Sequence, residues 1–310
     1  MANAPVSHLA RPRIDDARRG IALMLLAYLL FSLTDTSVKW LSLAGLPALQ
    51  LAFMRYATHL ALSTGPMMGR DHSGFTAPMP LALAMLGRGA LLAISTVCNF
   101  IGLAYLDLTV TAAIMFSSPI IVCALSVPLL GERVGRWRWS AILMGFAGVL
   151  IVVRPWSGDF HWAALSILTA ATSFALYSIV TRKLSGVAAP RTMQLYAGLV
   201  GAVALLPAAW WLWTPPATTL DWGLMIGLGA FAWLGHHFFG IAHGYAPSSV
   251  LMPFSYSFII YLAVAGFLVF GTVPDAQTVI GACVIAAAGL VIWWRERPDI
   301  KVAPQPSDTK

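Results

Sequence analysis

Four side chains that could bind a polar group recur within one long apolar segment near the start of the chain. Tyr28, Ser32, Asp35 and Lys39 stand 4, 3 and 4 residues apart in RGIALMLLAYLLFSLTDTSVKWLS. This spacing places all four on one face of an α-helix. A carboxylate and an ammonium within a lipid-spanning helix are costly unless they meet partners or water. We therefore expect this face to bind a polar ligand or to pair with another helix.

Other apolar segments carry polar side chains at the same helical spacing. Arg55 and His59 lie four residues apart, and Arg88 is followed by Ser95 and Asn99 in the next segment. A later segment repeats the pattern with Ser166, Thr169, Ser173, Tyr177 and Thr181. Lipid offers no hydrogen bonds, so these faces must turn toward other helices or water. Four such faces would line a polar cavity.

Charge is scarce over the whole chain. Of its 310 residues, 59% are hydrophobic and 10% are charged, whereas soluble domains carry about 25% charged residues. Lipid must therefore be most of the solvent, and the sequence predicts an all-α polytopic membrane protein. Ten transmembrane helices, numbered here as spans one to ten, are predicted at 20–41, 47–65, 81–104, 109–131, 138–154, 162–182, 192–213, 222–243, 248–270 and 277–294.

Basic residues predict the orientation of these spans. With a cytoplasmic N-terminus, fifteen Lys and Arg residues of the tails, links and helix ends fall on the inner side, and only Lys39 and Arg154, both at helix ends, fall on the outer side. This bias predicts a multi-pass protein of the bacterial inner membrane with both termini in the cytoplasm. The net charge of +7 has the same origin and does not indicate nucleic-acid binding.

The chain also reads as two similar halves. Each half ends with a span that closes on a small residue, a tight link, a span interrupted by proline, a second link near a glycine and a span that contains glycine. The prolines, Pro119 and Pro253, do not occupy equivalent positions. Five spans per half make the second copy inverted, which is a transporter architecture. The predicted organisation is a tail at 1–19, five-helix repeats at 20–156 and 157–296, and a tail at 297–310.

Several stretches carry a resemblance to a known family. They are RGIALMLLAYLLFSLTDTSVKWLS, SSPIIVCALSVPLLGERVGRWRW and GHHFFGIAHGYAPSSVLMPFSYSF. Over about residues 20–296 the chain resembles the EamA-type branch of the drug/metabolite transporter superfamily. One departure is Gly271-Thr272, where many relatives have Gly-Glu, so Glu132 has no counterpart in the second half. The resemblance implies a carrier of small metabolites, which in some relatives are riboflavin or nucleoside-like cofactors and in others amino acids.

Depth along the spans indicates which charges meet. At 1.5 Å per residue, Asp35 and Arg55 both lie roughly 10 Å below the predicted outer ends of their spans. Asp35 is therefore expected to face the cavity against Lys39 or Arg55, as a structural ion pair, a substrate-binding group or a proton-coupling group. Lys39 can reach the interface and act as an anchor. Arg88 has no acid at its depth, so a substrate anion, a backbone carbonyl or water must accept its hydrogen bonds.

Further candidates lie in the second half and at the predicted inner face. Trp233 and His237 share a helical face, which suits either stacking on a flat ring or packing in the core or against lipid. Glu132 and Arg133 would form an inner gate or an ordinary surface pair. The complete predicted substrate path is Tyr28, Ser32, Asp35, Arg55, His59, Arg88, Ser95, Asn99, Tyr177, Trp233, His237, Ser255 and Tyr256.

Other chemistry is not indicated. Cys98, Cys123 and Cys283 lie in separate spans and are predicted to be buried thiols. Adjacent His236 and His237 point about 100° apart on a helix, a poor geometry for one metal ion. We predict no catalytic residue, metal or cofactor. The expected partners are a small-molecule substrate and the lipid bilayer, with a homodimer left open.

These patterns predict a secondary transporter that moves a small polar or aromatic metabolite by alternating access, with riboflavin-like uptake as the first candidate. Export of amino acids or related metabolites is the alternative. A membrane enzyme or accessory protein acting on a lipid-borne substrate is disfavoured, because Asp35 lies toward the outside and His236-His237 toward the inside.

The orientation gives a direct prediction. Green fluorescent protein fused to the C-terminus should fluoresce, and alkaline phosphatase fused after Trp156 should be active, because phosphatase folds only outside the cytoplasm. Whole-cell fluorescence and phosphatase assays measure both. An inactive fusion after Trp156 together with an active one at the C-terminus would reverse the predicted topology.

Overall fold

The computed structural model describes residues 14–64, 78–130, 136–158, 160–184, 187–245 and 251–296, and these residues form helices joined by short links. The helices are α1 (Ile14–Leu43), α2 (Ala48–Thr64), α3 (Met79–Tyr105), α4 (Leu108–Met115), α5 (Ser118–Leu130), α6 (Arg136–Val153), α7 (Ala163–Leu184), α8 (Pro190–Trp211), α9 (Thr219–Tyr245), α10 (Ser257–Phe270) and α11 (Ala276–Glu296), with a 3₁₀ helix at Met252–Tyr256 before α10.

The helices agree with the predicted all-α membrane class. Five of them are long and apolar enough to cross a membrane, namely those containing Arg18–Leu43, Met79–Tyr105, Ala163–Thr181, Arg191–Trp211 and Thr219–Ala242. Shorter apolar helices cover parts of spans four, five, nine and ten. The number of ten crossings and the cytoplasmic position of both termini stay predictions.

Span four, predicted over 109–131 as a Pro-interrupted span, consists of two helices. It breaks at Phe116 and Ser117 into α4 and α5. The break has a local cause, because Pro119 lacks the backbone N–H that would continue the preceding helix and is best accommodated in the first turn of a new helix, which begins at Ser118. Span nine, the counterpart in the second half, is irregular at the same level, since the 3₁₀ helix Met252–Tyr256 precedes α10.

Packing between the two halves follows the symmetry of an inverted repeat. The most extensive contacts pair α1 with α9, α3 with α7, α2 with α8, and α6 with α11. In the second repeat, α7, α8, α9 and α11 correspond to α1, α2, α3 and α6 of the first. Exchanging the repeats therefore converts the α1–α9 pair into the α7–α3 pair and converts the α2–α8 and α6–α11 pairs into themselves. The halves are thus intertwined, and each helix of one repeat packs mainly on the other repeat.

Glycines allow α6 and α11 to approach closely. A Cβ on Gly281 would lie 2.9 Å from the Gly148 carbonyl oxygen and 3.2 Å from the Val152 backbone nitrogen. A Cβ on Gly148 would lie 2.8 Å from Ile285 Cγ1. Small residues are the usual means of close helix packing in lipid. Gly148 therefore serves packing within one chain.

The links at the predicted outer face join the repeats by polar contacts. Gln50 makes two hydrogen bonds with the Thr214 backbone, and the Trp40 indole N–H donates to Asp221. The Arg154 guanidinium pairs with Asp275, which also accepts a hydrogen bond from the Thr278 backbone N–H and so caps α11. These contacts hold the outer ends of the repeats together.

Alanine at Gly281 or Gly148 should destabilise the fold, because the added Cβ meets backbone atoms that cannot move aside. Overpacking of this kind costs about 1–3 kcal/mol. Thermal unfolding of the detergent-solubilised protein measures the loss. Gly223→Ala in α9 is the control, since nothing lies within 4 Å of its Cβ, and it should be neutral or stabilising. Equal midpoints for all three variants would contradict the close approach.

The Arg154–Asp275 pair should persist at mildly acidic pH. Hydrogen bonds from Thr278 and then from Arg154 lower the pKa of Asp275 to about 2, against about 3.9 in an unfolded chain. A lowered pKa contributes stability that is complete above pH ~4 and is lost as the pH falls toward ~2. The difference in unfolding midpoint between wild type and Asp275→Asn should therefore stay constant from pH 8 to 5. A difference that vanishes by pH 5 would contradict it.

Candidate functional site

Arg88 is held by hydrogen bonds from three directions. Its Nε donates to Thr181 Oγ1 at 2.7 Å, Nη1 to the Met193 carbonyl oxygen at 3.0 Å, and Nη2 to the Tyr177 hydroxyl at 2.5 Å. The guanidinium carbon also lies 4.3 Å from the centre of the Tyr177 ring. The sequence left open whether a substrate anion, a backbone carbonyl or water accepts the hydrogen bonds of Arg88. In the structure, a backbone carbonyl and two side-chain hydroxyls of the protein accept them. Arg88 thus ties α3 to α7 and α8.

Arg55 has a less complete set of protein partners. Its Nη1 donates to Thr96 Oγ1 at 3.1 Å, and Thr96 also shares a hydrogen bond with Tyr56 at 2.8 Å. Asp35 lies within the electrostatic range of Arg55, as the sequence suggested, and its Oδ1 accepts a hydrogen bond of 3.4 Å from Asn99 Nδ2. Asp35 is half-buried rather than buried. Arg55, Asp35 and Asn99 therefore form a polar cluster between α1, α2 and α3.

Lys39 does not behave as predicted. Its ammonium donates to the Leu106 carbonyl oxygen at 3.0 Å, and the side chain is only 8% exposed. In the part of the chain that the structure describes, Lys39 and Asp35 form no ion pair. The free carbonyl at the C-terminal end of α3 attracts the ammonium. Lys39 is therefore an α1–α3 contact and not an interfacial anchor.

Two histidines face each other beside Arg55. The His59 and His236 rings are 6.4 Å apart, and the Phe31 ring lies 4.9 Å from His236. His59 is 5% exposed and interacts with Gln194, but its Nε2 has no hydrogen-bond partner among the described residues. Arg55 acts electrostatically on both rings. The region between α2 and α9 thus gathers cationic and hydrogen-bonding groups.

Aromatic residues meet where the two irregular spans cross. The Phe116 ring stacks on Tyr256, with centroids 5.1 Å apart and planes at 26°. Phe258 joins Phe116 at 6.1 Å and Tyr28 at 6.0 Å. Tyr28 also hydrogen bonds to Ser255. The polar face of α1 therefore ends at the junction of spans four and nine.

The remaining candidates occupy varied positions. Ser32 bonds to the Leu29 carbonyl of its own helix, and Ser95 bonds to the Ala170 carbonyl of α7. Trp233 stacks on His237 at 5.5 Å with planes at 1°, but His237 is exposed on the outside of α9. The aromatic and polar shelf forms, yet it does not face the Arg55 cluster.

The predicted inner gate, the cysteines and the cavities do not contribute to the polar cluster around Arg55. Glu132 and Arg133, the predicted inner gate, lie outside the described residues, as does the side chain of Cys123. Cys98 is half-buried, whereas Cys283 is exposed, contrary to the predicted burial. The described cavities, of about 530 and 150 Å³, lie near helix ends and not at the predicted polar cavity.

Phe116 is the residue that sequence reasoning missed. The pattern search followed polar side chains and overlooked a repeated Phe-Ser pair. Phe116-Ser117 and Phe254-Ser255 stand in the same register in the two halves, and each pair coincides with the irregular part of its span. Aligning the halves on LAYLDL and IAHGYA would have found it.

Comparison with known proteins agrees with this architecture. The model of the EamA-like transporter family matches residues 18–154 and 161–294. A riboflavin transporter of Rhizobium johnstonii is 29% identical over 289 residues, covering 89% of this chain and 91% of that protein. A pseudopaline exporter of Pseudomonas aeruginosa is 29% identical over 283 residues, covering 90% and 97%. One crystal structure superposes with a TM-score of 0.61 at 17% identity, covering 92% of this chain and 100% of the other, which shows the same fold.

Arg88→Lys should lower the thermal stability of the protein, because a single ammonium cannot bond in three fixed directions. Each lost charge-assisted hydrogen bond is worth about 1.5–3 kcal/mol. Unfolding midpoints in detergent measure the effect, with the exposed Arg191→Lys as the control. A midpoint for Arg88→Lys equal to that of Arg191→Lys would contradict the structural role of Arg88.

Proposed function

Because the chain belongs to the EamA-like transporter family, we propose that it is a secondary transporter that binds a small metabolite near the membrane midplane and moves it by alternating access. The supporting observation is the pair of irregular spans at equivalent positions of the two repeats, crossing at Phe116 and Tyr256. Interrupted helices in corresponding positions are the best structural indicator of a binding site in inverted-repeat transporters.

The position of this crossing suits a substrate site. Tyr28 lies at the middle of α1, and Phe116 lies eight residues, about 12 Å, from the predicted outer end of α4. Both are therefore close to the centre of a bilayer whose core is about 30 Å thick. Irregular backbone at such depth is tolerated where it is buried in protein or lines a cavity. Asp35, Arg55 and Asn99 lie on the outer side of this level.

Unequal contacts within the two repeats support alternating access. In the first repeat α1 contacts α3, through Asp35–Asn99 and Lys39–Leu106, toward the predicted outer face. Among the described residues, the equivalent helices α7 and α9 have no comparable contact. Because the two repeats share one architecture, each repeat can adopt the conformation that the other has in this structure. Exchange would open the α1–α3 contact and close the opposite face.

Riboflavin-like uptake is the leading specific proposal for the substrate. The aromatic residues at the crossing suit the flat ring of a flavin, and a relative matching 91% of its length is named a riboflavin transporter. Export of amino acids or related metabolites is the second candidate. It is favoured by the buried cation Arg55, whose described hydrogen bond is to Thr96 and which could also bind a negative group of a ligand.

Growth of a riboflavin-auxotrophic bacterium that lacks its own uptake system tests the leading proposal. Expression of this chain should restore growth on limiting riboflavin, whereas empty vector should not. An Arg55→Gln variant present at equal membrane level should grow more slowly, because Arg55 faces the proposed path. Absence of rescue with the protein in the membrane would remove flavin import. Efflux of amino acids from loaded cells would then test the second candidate.

A further inference from the structure

The Phe116–Tyr256 stack joins the two repeats directly. Phe116 lies at the break between α4 and α5, and Tyr256 ends the 3₁₀ helix before α10. Their rings are 5.1 Å apart at 26°, close to an offset stack. Since these two positions belong to different repeats, any motion of one repeat against the other must separate or slide the rings. The contact is therefore placed to change during a transport cycle.

Both rings keep accessible surface although they lie deep in the bundle. Phe116 and Tyr256 are half-buried, whereas the neighbouring Leu108 and Ala112 are almost fully buried. A core packed only for stability would cover these rings, because dense packing is the rule in protein interiors. Phe258 contacts both Phe116 and Tyr28. An aromatic surface is thus available beside the polar face of α1.

A hydroxyl without a partner lies next to this surface. Ser117 is 3% exposed, and its Oγ has no hydrogen-bond partner among the described residues. Buried hydroxyls nearly always find a partner, so an orphan of this kind needs an explanation. Ser118, by contrast, bonds to the Met115 carbonyl at 2.6 Å. Within the described residues, the Ser117 hydroxyl thus keeps a donor and an acceptor that a ligand could use.

The position of Tyr256 is fixed by a glycine of the last helix. A Cβ on Gly289 would lie 1.8 Å from the Tyr256 hydroxyl oxygen. The close approach holds the ring from α11 while its face meets Phe116. Any side chain at Gly289 would push Tyr256 out of this position. The stack is therefore supported from three spans.

We propose that Phe116, Tyr256 and Ser117 form a subsite for a flat heteroaromatic ring, whose face packs on the exposed surface of the stacked pair and whose polar edge hydrogen bonds to Ser117. This proposal rests on the transporter function proposed above and adds the class of ligand. An aliphatic substrate could hydrogen bond to Ser117 through a polar group but would gain no stacking on the rings. A fused ring carrying N–H and C=O groups satisfies both.

Binding of lumichrome, the ring of riboflavin without its sugar chain, tests the subsite on purified protein in lipid nanodiscs. Wild type should quench lumichrome fluorescence saturably, and ribitol should not compete. Phe116→Leu should raise the Kd about tenfold, since it removes one stacking partner. Tyr256→Phe should bind almost as wild type, and Ser117→Ala should bind several-fold more weakly. Phe267→Leu, at an exposed position of α10, is the control and should leave the Kd unchanged.

The outcomes separate this subsite from the transport function. Failure of wild type to bind lumichrome, or equal Kd values for Phe116→Leu and wild type, would overturn the subsite even if the protein transports another metabolite. Conversely, saturable binding that depends on Phe116 supports the subsite even if growth on riboflavin is not restored. Ser117→Ala keeps the backbone and the ring packing, so it still tests the subsite if the Phe116→Leu variant does not fold.

Discussion

A lipid solvent that forms no hydrogen bonds is the constraint on which this structure depends. Polar side chains in a span must find partners inside the protein, and the partners of the buried cations Arg88 and Lys39 come from other helices or their ends. Arg88 connects α3 to α7 and α8, and Lys39 connects α1 to the end of α3. Because a buried cation is unfavourable without acceptors, only the helix pairing that supplies those acceptors is stable. Glycines in α6 and α11 provide the close approach that hydrophobic attraction cannot drive in lipid.

The same constraint explains why the irregular segments are informative. Backbone groups freed at Phe116-Ser117 and at Phe254-Ser255 would be costly against lipid, so both breaks must lie inside the bundle. They meet each other there, with aromatic rings between them. Symmetry places the two breaks together because spans four and nine are exchanged by the relation between the repeats. The fold therefore brings its least regular parts to its centre, where a substrate can be held by both halves.

Much of the fold can be predicted from the sequence, because helical periodicity and the length of apolar segments do not depend on tertiary contacts. Nearly all span positions and the paired halves were predicted in this way, and the all-helical structure and the family match agree with the class. The interruption of span four was predicted from Pro119, but the residue at which the helix restarts was not, because a proline within an apolar run does not by itself fix that position. The acceptors of Arg88 could not be predicted, since Thr181 and Met193 come close only through tertiary packing. Phe116 escaped notice because the search was for polar groups, whereas an inverted repeat also places apolar residues at its centre.

Alternating access between the two repeats is the central claim, and a distance measurement tests it most directly. Spin labels are placed at Leu43 and Tyr105, exposed residues at the predicted outer ends of α1 and α3, in a variant without Cys98, Cys123 and Cys283. Double electron–electron resonance between them reports opening at this face. We predict two distance populations in nanodiscs, one short and one longer, whose ratio changes when a transported ligand is added. A single short distance that no transported ligand alters would contradict alternating access.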